Sequence, residues 1–380
     1  MILFLSTILI LYGLLHLYIF YKVKAALAFG TGGAILLICF MVIMVFAPVI
    51  VRITERYGLE LFVRILSLIG YTWMGFAFLF FSCSLLLDIY RLLIHTGGLI
   101  FQTSFPSLAP SPRIAFVIPF VLTAAITLYG YFEALSIRTE RIVIESPKIP
   151  EQVGKITIVQ ISDIHLGLIV GRGRLKRILR EVKRAEPDIL VSTGDLVDGQ
   201  SDNLRGLAEL LKTVTPPYGK FAVTGNHEFF AGLEQALQFT EEAGFKVLRG
   251  EALNVASILN IAGVDDPTGR RFRLYRGVSE KTLLSELPQE QFTILLKHIP
   301  VVDDSANGLF DLQLSGHTHK GQIFPFNLLT RLFYSVDSGL VRVSHNSHLY
   351  VSRGSGTWGP PIRFLAPPEV TVIELVPKDT

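Results

Sequence analysis

The chain has 380 residues, half of them hydrophobic, with 35 basic and 32 acidic side chains and a formal charge of +3. So small a surplus excludes the strongly basic balance of a nucleic-acid binder, and two cysteines exclude a disulfide framework. The length leaves room for two domains and the charge divides unevenly, ten basic against six acidic residues over 1–150 and twenty-five against twenty-six over 151–380.

Ile2 to Phe20 is almost wholly apolar and ends at Lys22 and Lys24. As a helix rising about 1.5 Å per residue it would cross a hydrocarbon core of roughly 30 Å. It lacks the charged leader and small-x-small cleavage site of a signal peptide, and another apolar run follows at once, so it reads as a retained span. Further spans are expected over about 26–51, where Gly30, Gly32 and Gly33 would permit close packing, over 65–89 and over 114–135. Residues 1–136 thus read as a four-helix transmembrane region with both ends on one side of the membrane, and His95 to Arg113, rich in Gly, Ser and Pro, reads as a loop. Basic residues do not orient it. Arg52, Arg56, Arg64, Arg138 and Arg141 would share the side of the C-terminal part, against Lys22, Lys24, Arg91 and Arg113, so the side stays open. His16, inside the first span, is either a functional ionisable group or a neutral histidine hydrogen-bonded within the bundle.

Residues 137–152, with Pro147 and Pro150, read as a linker and first edge strand, and 153–380 as an α/β domain. Apolar residues at helical spacing over 173–185, 204–214 and 233–243 separate short strand-like runs, which implies βαβ crossovers and a buried sheet. Short β runs over 340–343, 348–352 and 370–375 call for a mixed or second sheet. The basic run from Arg174 to Arg184 reads as a solvated helix face opened by Gly171-Arg172-Gly173, and Asp265-Asp266-Pro267 as turn chemistry.

The strand-like runs share a habit. Ile156 to His165, ITIVQISDIH, ends in Asp163-x-His165, and later runs end in Gly194-Asp195, Gly225-Asn226-His227-Glu228, Asp265-Asp266, His298 and Gly316-His317-Thr318-His319. In an open α/β sheet the ligand site lies beyond the carboxyl ends of the strands, so these tips aim at one place. Asp163 and His165, two apart, can bend toward one ion; Asp195 adds a carboxylate able to bridge two; Asn226, His298, His317 and His319 complete mixed N/O sites for two divalent ions that keep positions open to water. The lack of cysteine ligands argues against structural zinc, and two open ions are a hydrolytic arrangement.

In this order the motifs D-x-H, G-D-x-x-D, G-N-H-[DE], H and G-H-x-H stand complete as Asp163-Ile164-His165, Gly194 to Asp198, Gly225 to Glu228, His298 and Gly316 to His319. Over Ile156 to about Leu375 the chain resembles the calcineurin-like metallophosphoesterases. Its tail, Ser352 to Gly359 and Ala366 to Glu369, resembles the branch of bacterial YkuE- and YaeI-type membrane-associated phosphoesterases. The resemblance implies a four-layer α/β/β/α sandwich. It implies one ion, Mn, Fe or Zn, held by Asp163, His165, Asp195 and His319, and a second by Asp195, Asn226, His298 and His317. It further implies in-line attack on phosphorus by a hydroxide between the ions, with Asp195 and His227 catalytic. His227 would act as general acid or phosphoryl-oxygen donor, oriented by a carboxylate, while Asp198 and Glu228 would support the site without ligating.

Gly321 to Tyr334, GQIFPFNLLTRLFY, shows no clean strand or helix pattern. It reads either as a loop folded over the core or as an apolar lip beside the metals that dips into the bilayer or grips an acyl chain, with Arg353 and Arg363 meeting phosphate groups. The expected activity is hydrolysis of a phosphodiester or pyrophosphate, a lipid-linked substrate being one option, by a multi-pass protein of a bacterial cell membrane. Soluble or cyclic nucleotides are an alternative substrate class, and a non-catalytic membrane sensor or scaffold is the alternative of another kind. No nucleic-acid partner is expected.

Overall fold

The computed structural model describes residues 2–57, 59–103, 108–198, 204, 206–344 and 346–378. The chain divides into two compact units, residues 1–131 with 359–362 and residues 132–358 with 363–380.

The first unit is built on α1 (Ile2–Ala26), α2 (Thr31–Thr54), α3 (Glu60–Ile100) and α4 (Pro112–Glu133). By length and composition all four could cross a membrane. Ile19, Met41, Ala77 and Phe80 form the buried centre of their packing. A Cβ added to Gly70 would meet Ala47 Cβ at 2.8 Å, so α2 and α3 approach closely through a small-residue contact. The helices outrun the sequence reading. α1 continues through Lys22, whose ammonium pairs with Asp88, an acceptor also of Tyr18 Oη at 2.6 Å. α3 absorbs the start of the segment read as a loop, Thr96 Oγ1 bonding Leu92 O at 2.9 Å as the helix runs on through Gly97 and Gly98. The Gly-rich composition there weakens a helix without ending it. His16 is buried; Nδ1 donates to Tyr12 O and Nε2 accepts from Trp73 Nε1, both at 2.8 Å, which uses both nitrogens of a neutral ring.

The second unit carries β1 (Arg138–Ser146), β2 (Ile156–Ile161), α5 (Arg172–Arg184), β3 (Ile189–Ser192), α6 (Leu207–Lys212), β4 (Lys220–Ala222), α7 (Asn226–Ala231), α8 (Leu233–Glu242) and β5 (Lys246–Val247). Then follow β6 (Glu251–Val255), β7 (Leu259–Gly263), α9 (Gly269–Phe272), α10 (Glu280–Ser285), β8 (Phe292–Leu296), β9 (Leu312–Ser315), α11 (Phe326–Phe333), β10 (Gly339–Arg342), β11 (His348–Val351) and β12 (Glu369–Pro377). They make two six-stranded sheets, ordered β1-β12-β2-β3-β4-β5 and β10-β11-β9-β8-β7-β6. Pairing is parallel except where β12 meets β2, β10 meets β11 and β6 meets β7. The sheet alternation places Ile156 and Ile158 of β2 between the sheets, with Ile261, Ile294 and Leu312 opposite, and turns Val159 and Ile161 to the outer face, where α5, α6 and α8 cover them. On the far face of the second sheet Leu283 and Leu284 of α10 pack on Ala262 and Leu295. The result is the four-layer α/β/β/α sandwich, each fully buried Ile or Leu contributing about 1.5–3 kcal/mol.

α5 follows the helical pattern. Leu175, Ile178, Leu179 and Val182 are buried, and the net basic face is outside. α11 departs from the sequence reading, which found no helix pattern in 321–334. Its residues do carry helical spacing, but with the apolar positions turned outward and Thr330 inward, so burial pattern and hydropathy pattern oppose each other.

Candidate metal centre

Every tip singled out in the sequence lies at the carboxyl end of a strand. Asp163 and His165 follow β2, Asp195 follows β3, Asn226 and His227 open α7 after β4, His298 follows β8, and His317 and His319 follow β9. β2 to β4 belong to one sheet and β8 and β9 to the other, so the site gathers where the carboxyl edges of both sheets meet. Beneath it Gln160 donates from Nε2 to Thr193 Oγ1 and to Ser315 O, both at 2.9 Å, tying the two sheets at that edge.

The backbone is strained here. Asp163, His165, Asp195, His317 and His319 all have positive φ, between 49° and 71°. Non-glycine residues enter this region at a cost on the order of 1 kcal/mol each, and packing must hold them there. Glu228 is part of that hold. Its buried carboxylate accepts from the backbone N–H of Gly225, Asp195, Leu196 and Val197 at 2.7–3.3 Å, clamping two motif turns together. Burial raises the Glu228 pKa, and the neighbouring Asp195 raises it further. Glycines allow the turns to touch: a Cβ on Gly316 would fall 1.9 Å from Ser162 Oγ and 2.2 Å from Asp163 Oδ2. Asp163 is held in turn by His317 N, 3.0 Å from each carboxylate oxygen.

Two clusters of donor atoms result. In one, His165 Nε2 lies 3.0 Å from His319 Nε2, and His319 Nε2 lies 3.6 Å from Asp163 Oδ1. In the other, His317 Nδ1 lies 3.1 Å from both Asn226 Oδ1 and His298 Nε2, and Asn226 Oδ1 lies 3.2 Å from His298 Nε2. Asp195 Oδ2 is common to them, 3.8 Å from His165 Nε2 and 3.3 Å from His298 Nε2, while its Oδ1 accepts from His227 N at 2.8 Å.

The donor chemistry fits cations. His298 Nδ1 faces Thr193 O at 2.8 Å and must donate to it, so Nε2 presents a lone pair to Asn226 Oδ1 and Asp195 Oδ2. Acceptors crowded in this way repel unless something positive sits among them. A proton on His298 is one answer: burial opposes it, yet the Asp195 carboxylate carries the pKa well above the ordinary value. Divalent cations are the stronger answer, and carboxylate, amide oxygen and imidazole suit hard to borderline ions.

His227 stands at the edge of this array, its ring 4.6 Å from that of His165. Its Nδ1 is 2.6 Å from Asp198 Oδ1. Burial disfavours its charged form, but Asp195 and Asp198 outweigh that and lift its pKa to about 9. The sequence reading expected a carboxylate partner without naming one; the second Asp of the G-D-x-x-D motif, Asp198, was the available signal. Aromatic rings rim the position. Phe230 and Trp358, both exposed, lie 5.8 and 6.1 Å from the His227 ring, and Tyr334 meets His317 edge-on at 5.4 Å.

Other expectations are corrected. Arg363 does not face a phosphate position: it is fully buried, its guanidinium donating to the carbonyls of Arg353, Gly354, Gly356 and Ala366, with Nη2 3.1 Å from His319 Nδ1. Arg353 is engaged by Glu369 and Glu140. Arg363 thus serves the tail, whose carbonyls need donors, and Arg353 pairs with carboxylates of β1 and β12. Asp265 is more than a turn residue, taking a bidentate Arg249 at 2.7–2.8 Å and Thr224 Oγ1 at 3.0 Å, whereas Asp266 Oδ1 accepts from Thr268 N at 2.8 Å in the expected turn fashion.

The comparisons agree with this geometry. A protein-family model described as calcineurin-like phosphoesterase matches residues 156–321. A protein of Aquifex aeolicus named an uncharacterized metallophosphoesterase is 42% identical over 251 residues, covering 66% of this chain and 96% of its own. The Bacillus subtilis metallophosphoesterase YkuE is 34% identical over 264 residues, covering 65% of this chain and 89% of its own. A transmembrane protein with metallophosphoesterase domain from Danio rerio is 34% identical over 273 residues, 68% of this chain and 62% of that one. This chain belongs to the calcineurin-like phosphoesterase family and is a metal-dependent phosphoester hydrolase.

Proposed function

We propose that the protein is a membrane-anchored binuclear-metal phosphoesterase that cleaves a phosphodiester or pyrophosphate bond. In this reading residues 1–136 cross the membrane four times as a multi-pass anchor in a bacterial cell membrane, 137–152 link, and 153–380 form the catalytic domain. The observation that carries the metal assignment is Asp195 Oδ2, shared between two clusters of otherwise separate donors. Asp163, His165, Asp195 and His319 would hold one ion and Asp195, Asn226, His298 and His317 the other.

When bound there, divalent ions supply Lewis acidity, acidifying a water and screening charge on the phosphoryl oxygens. The protein supplies the rest. Asp163 and Asp195 are fixed by backbone N–H groups, so the donors need little rearrangement. Asp198 accepts the Nδ1 proton of His227 and sets its ring plane, leaving Nε2 to donate to a phosphoryl oxygen or to the leaving oxygen. The exposed rings of Trp358 and Phe230 offer an apolar wall on the His227 side.

An apolar wall suits a substrate with a lipid portion, and we favour a lipid-linked phosphodiester or pyrophosphate. The same two aromatic faces favour a second reading, a nucleotide phosphodiesterase, since a base stacks on such rings. Full-length protein supplemented with manganese, assayed on a lipid-linked pyrophosphate, a nucleoside diester and an aryl diester, separates these. Asp195→Ala should abolish every turnover and reduce bound metal. Hydrolysis surviving in Asp195→Ala, or metal content unchanged by it, would sink the assignment.

A further inference from the structure

We infer that α11 is an interfacial membrane element, its outward face seated in the headgroup layer of a lipid bilayer beside the metal centre. The inference rests on the reading of the four long apolar helices as membrane spans.

The helix is inside-out. Phe326, Leu328 and Leu329 are 43–55% exposed, Leu332 is 77% and Phe333 is 80%, while the residue it buries is Thr330. α5 of the same unit does the reverse, burying Leu175, Ile178, Leu179 and Val182 and exposing its basic residues. A helix facing water follows the α5 pattern, and a contiguous apolar face of this kind calls for a cover. Nor is the exposure that of a frayed end. α11 is fixed from both sides, by Arg331 Nε on Asp337 Oδ2 at 2.8 Å and by Phe324 N on Phe364 O at 3.0 Å.

The chain itself says what the cover is. Glu133 closes α4, a helix apolar and long enough to cross a membrane, and Arg138 opens β1 after four intervening residues. Such a tether reaches ~17 Å at most. The unit that carries α11 is therefore held within reach of a bilayer surface, where an apolar helix face with a single arginine at its flank suits the boundary between acyl chains and headgroups. Tyr334, the residue after α11, packs its ring on His317, so a seated α11 would bring the metal centre to the surface from which a lipid headgroup is presented.

The test uses the full chain in nanodiscs of phosphatidylcholine and phosphatidylglycerol. Cys39 and Cys83 are the two cysteines, so a Cys39→Ala/Cys83→Ala chain carrying Leu332→Cys can be labelled with an environment-sensitive fluorophore and challenged with spin-labelled lipid. Cys39, exposed on α2 and retained in a Cys83→Ala chain, reports a spanning helix; Glu290→Cys, at an exposed charged position, reports water. The expected result is a blue shift and a loss of fluorescence at position 332 comparable with that at Cys39, and neither at position 290. Loss at Cys39 without loss at 332 overturns the α11 assignment and leaves the spans standing. No loss at either position fails the span reading and this inference with it. A blue shift at 332 that grows with protein density and is indifferent to spin-labelled lipid means that a second copy covers the face, and also overturns it.

Discussion

Asp198 Oδ1 lies 2.6 Å from His227 Nδ1, and because a carboxylate only accepts, that contact places a proton on Nδ1. Asp198 is not among the donors of either metal cluster, but its Oδ1 also lies 3.7 Å from Nδ1 of His165, so its removal should affect turnover more than bound metal. Asp198→Ala should lower kcat about 10- to 100-fold, the usual size of an orienting contact, while elemental analysis at saturating metal still finds most of the metal bound. Asp198→Asn, which keeps an acceptor, should lose less. If His227 donates to the leaving oxygen, His227→Ala should hurt a poor alkoxide leaving group more than an activated aryl one. Equal losses on both would confine His227 to binding the phosphoryl oxygens.

Arg363 should be a stability residue before it is an activity residue. Its donors are spent on tail carbonyls, and burial pulls its pKa down to about 9. Arg363→Met would leave several buried carbonyls unsatisfied, a loss on the order of 3 kcal/mol or more. Thermal unfolding in detergent should show it as a clear drop in Tm. Arg363→Lys should recover little, since an ammonium lacks the planar fork. A stable Arg363→Met protein with weakened activity would restore the phosphate-contact role read from the sequence.

Much of this site was legible because its proposed ligands sit at strand ends, where apolar alternation stops and Asp, Asn or His appears. Asp163, His165, Asp195, Asn226, His298, His317 and His319 are all of that kind. What the sequence hid depends on long-range closure. Arg363 looked like a free cation because nothing local shows that 353–366 folds back over it, and Glu228 gave no hint that four N–H groups from two turns converge on it. α11 was missed because its apolar spacing lasts only eight residues after Pro325, too short a run to stand out as a helical period.

Trp358 should act on substrate affinity. Its backbone is clasped by Gln322, Nε2 donating to Trp358 O at 2.9 Å and Oε1 accepting from Trp358 N at 2.8 Å, so the half-exposed indole is presented beside His227 at a fixed place. Trp358→Ala should raise KM about three- to tenfold for diesters with an aromatic or apolar group, the worth of one aromatic contact, with kcat nearly kept. Gln322→Ala should produce a weaker version of the same split. A kcat loss without a KM change in Trp358→Ala would place the ring in the chemistry instead.

Lys220 should make stability rise with pH in a window set by its own burial. Its Nζ donates to Leu211 O at 3.0 Å and Ala243 O at 2.5 Å and lies over the Phe245 ring, and burial, reinforced by the nearby Lys212, pushes its pKa down to about 8. Unfolded, the same amine titrates near 10.4. Between these values the unfolded chain binds more protons than the folded one, so stability climbs with pH from about 8 to about 10 and is flat in this group's contribution below. Lys220→Met removes the titration but orphans two carbonyls, so its mean stability can move either way while its pH slope cannot. The measurement is Tm from pH 7 to pH 10 for both proteins in one detergent, where the difference between the curves should grow in favour of the native chain above pH 8. Parallel curves would mean that the ammonium is as well solvated in the folded protein as in the unfolded one.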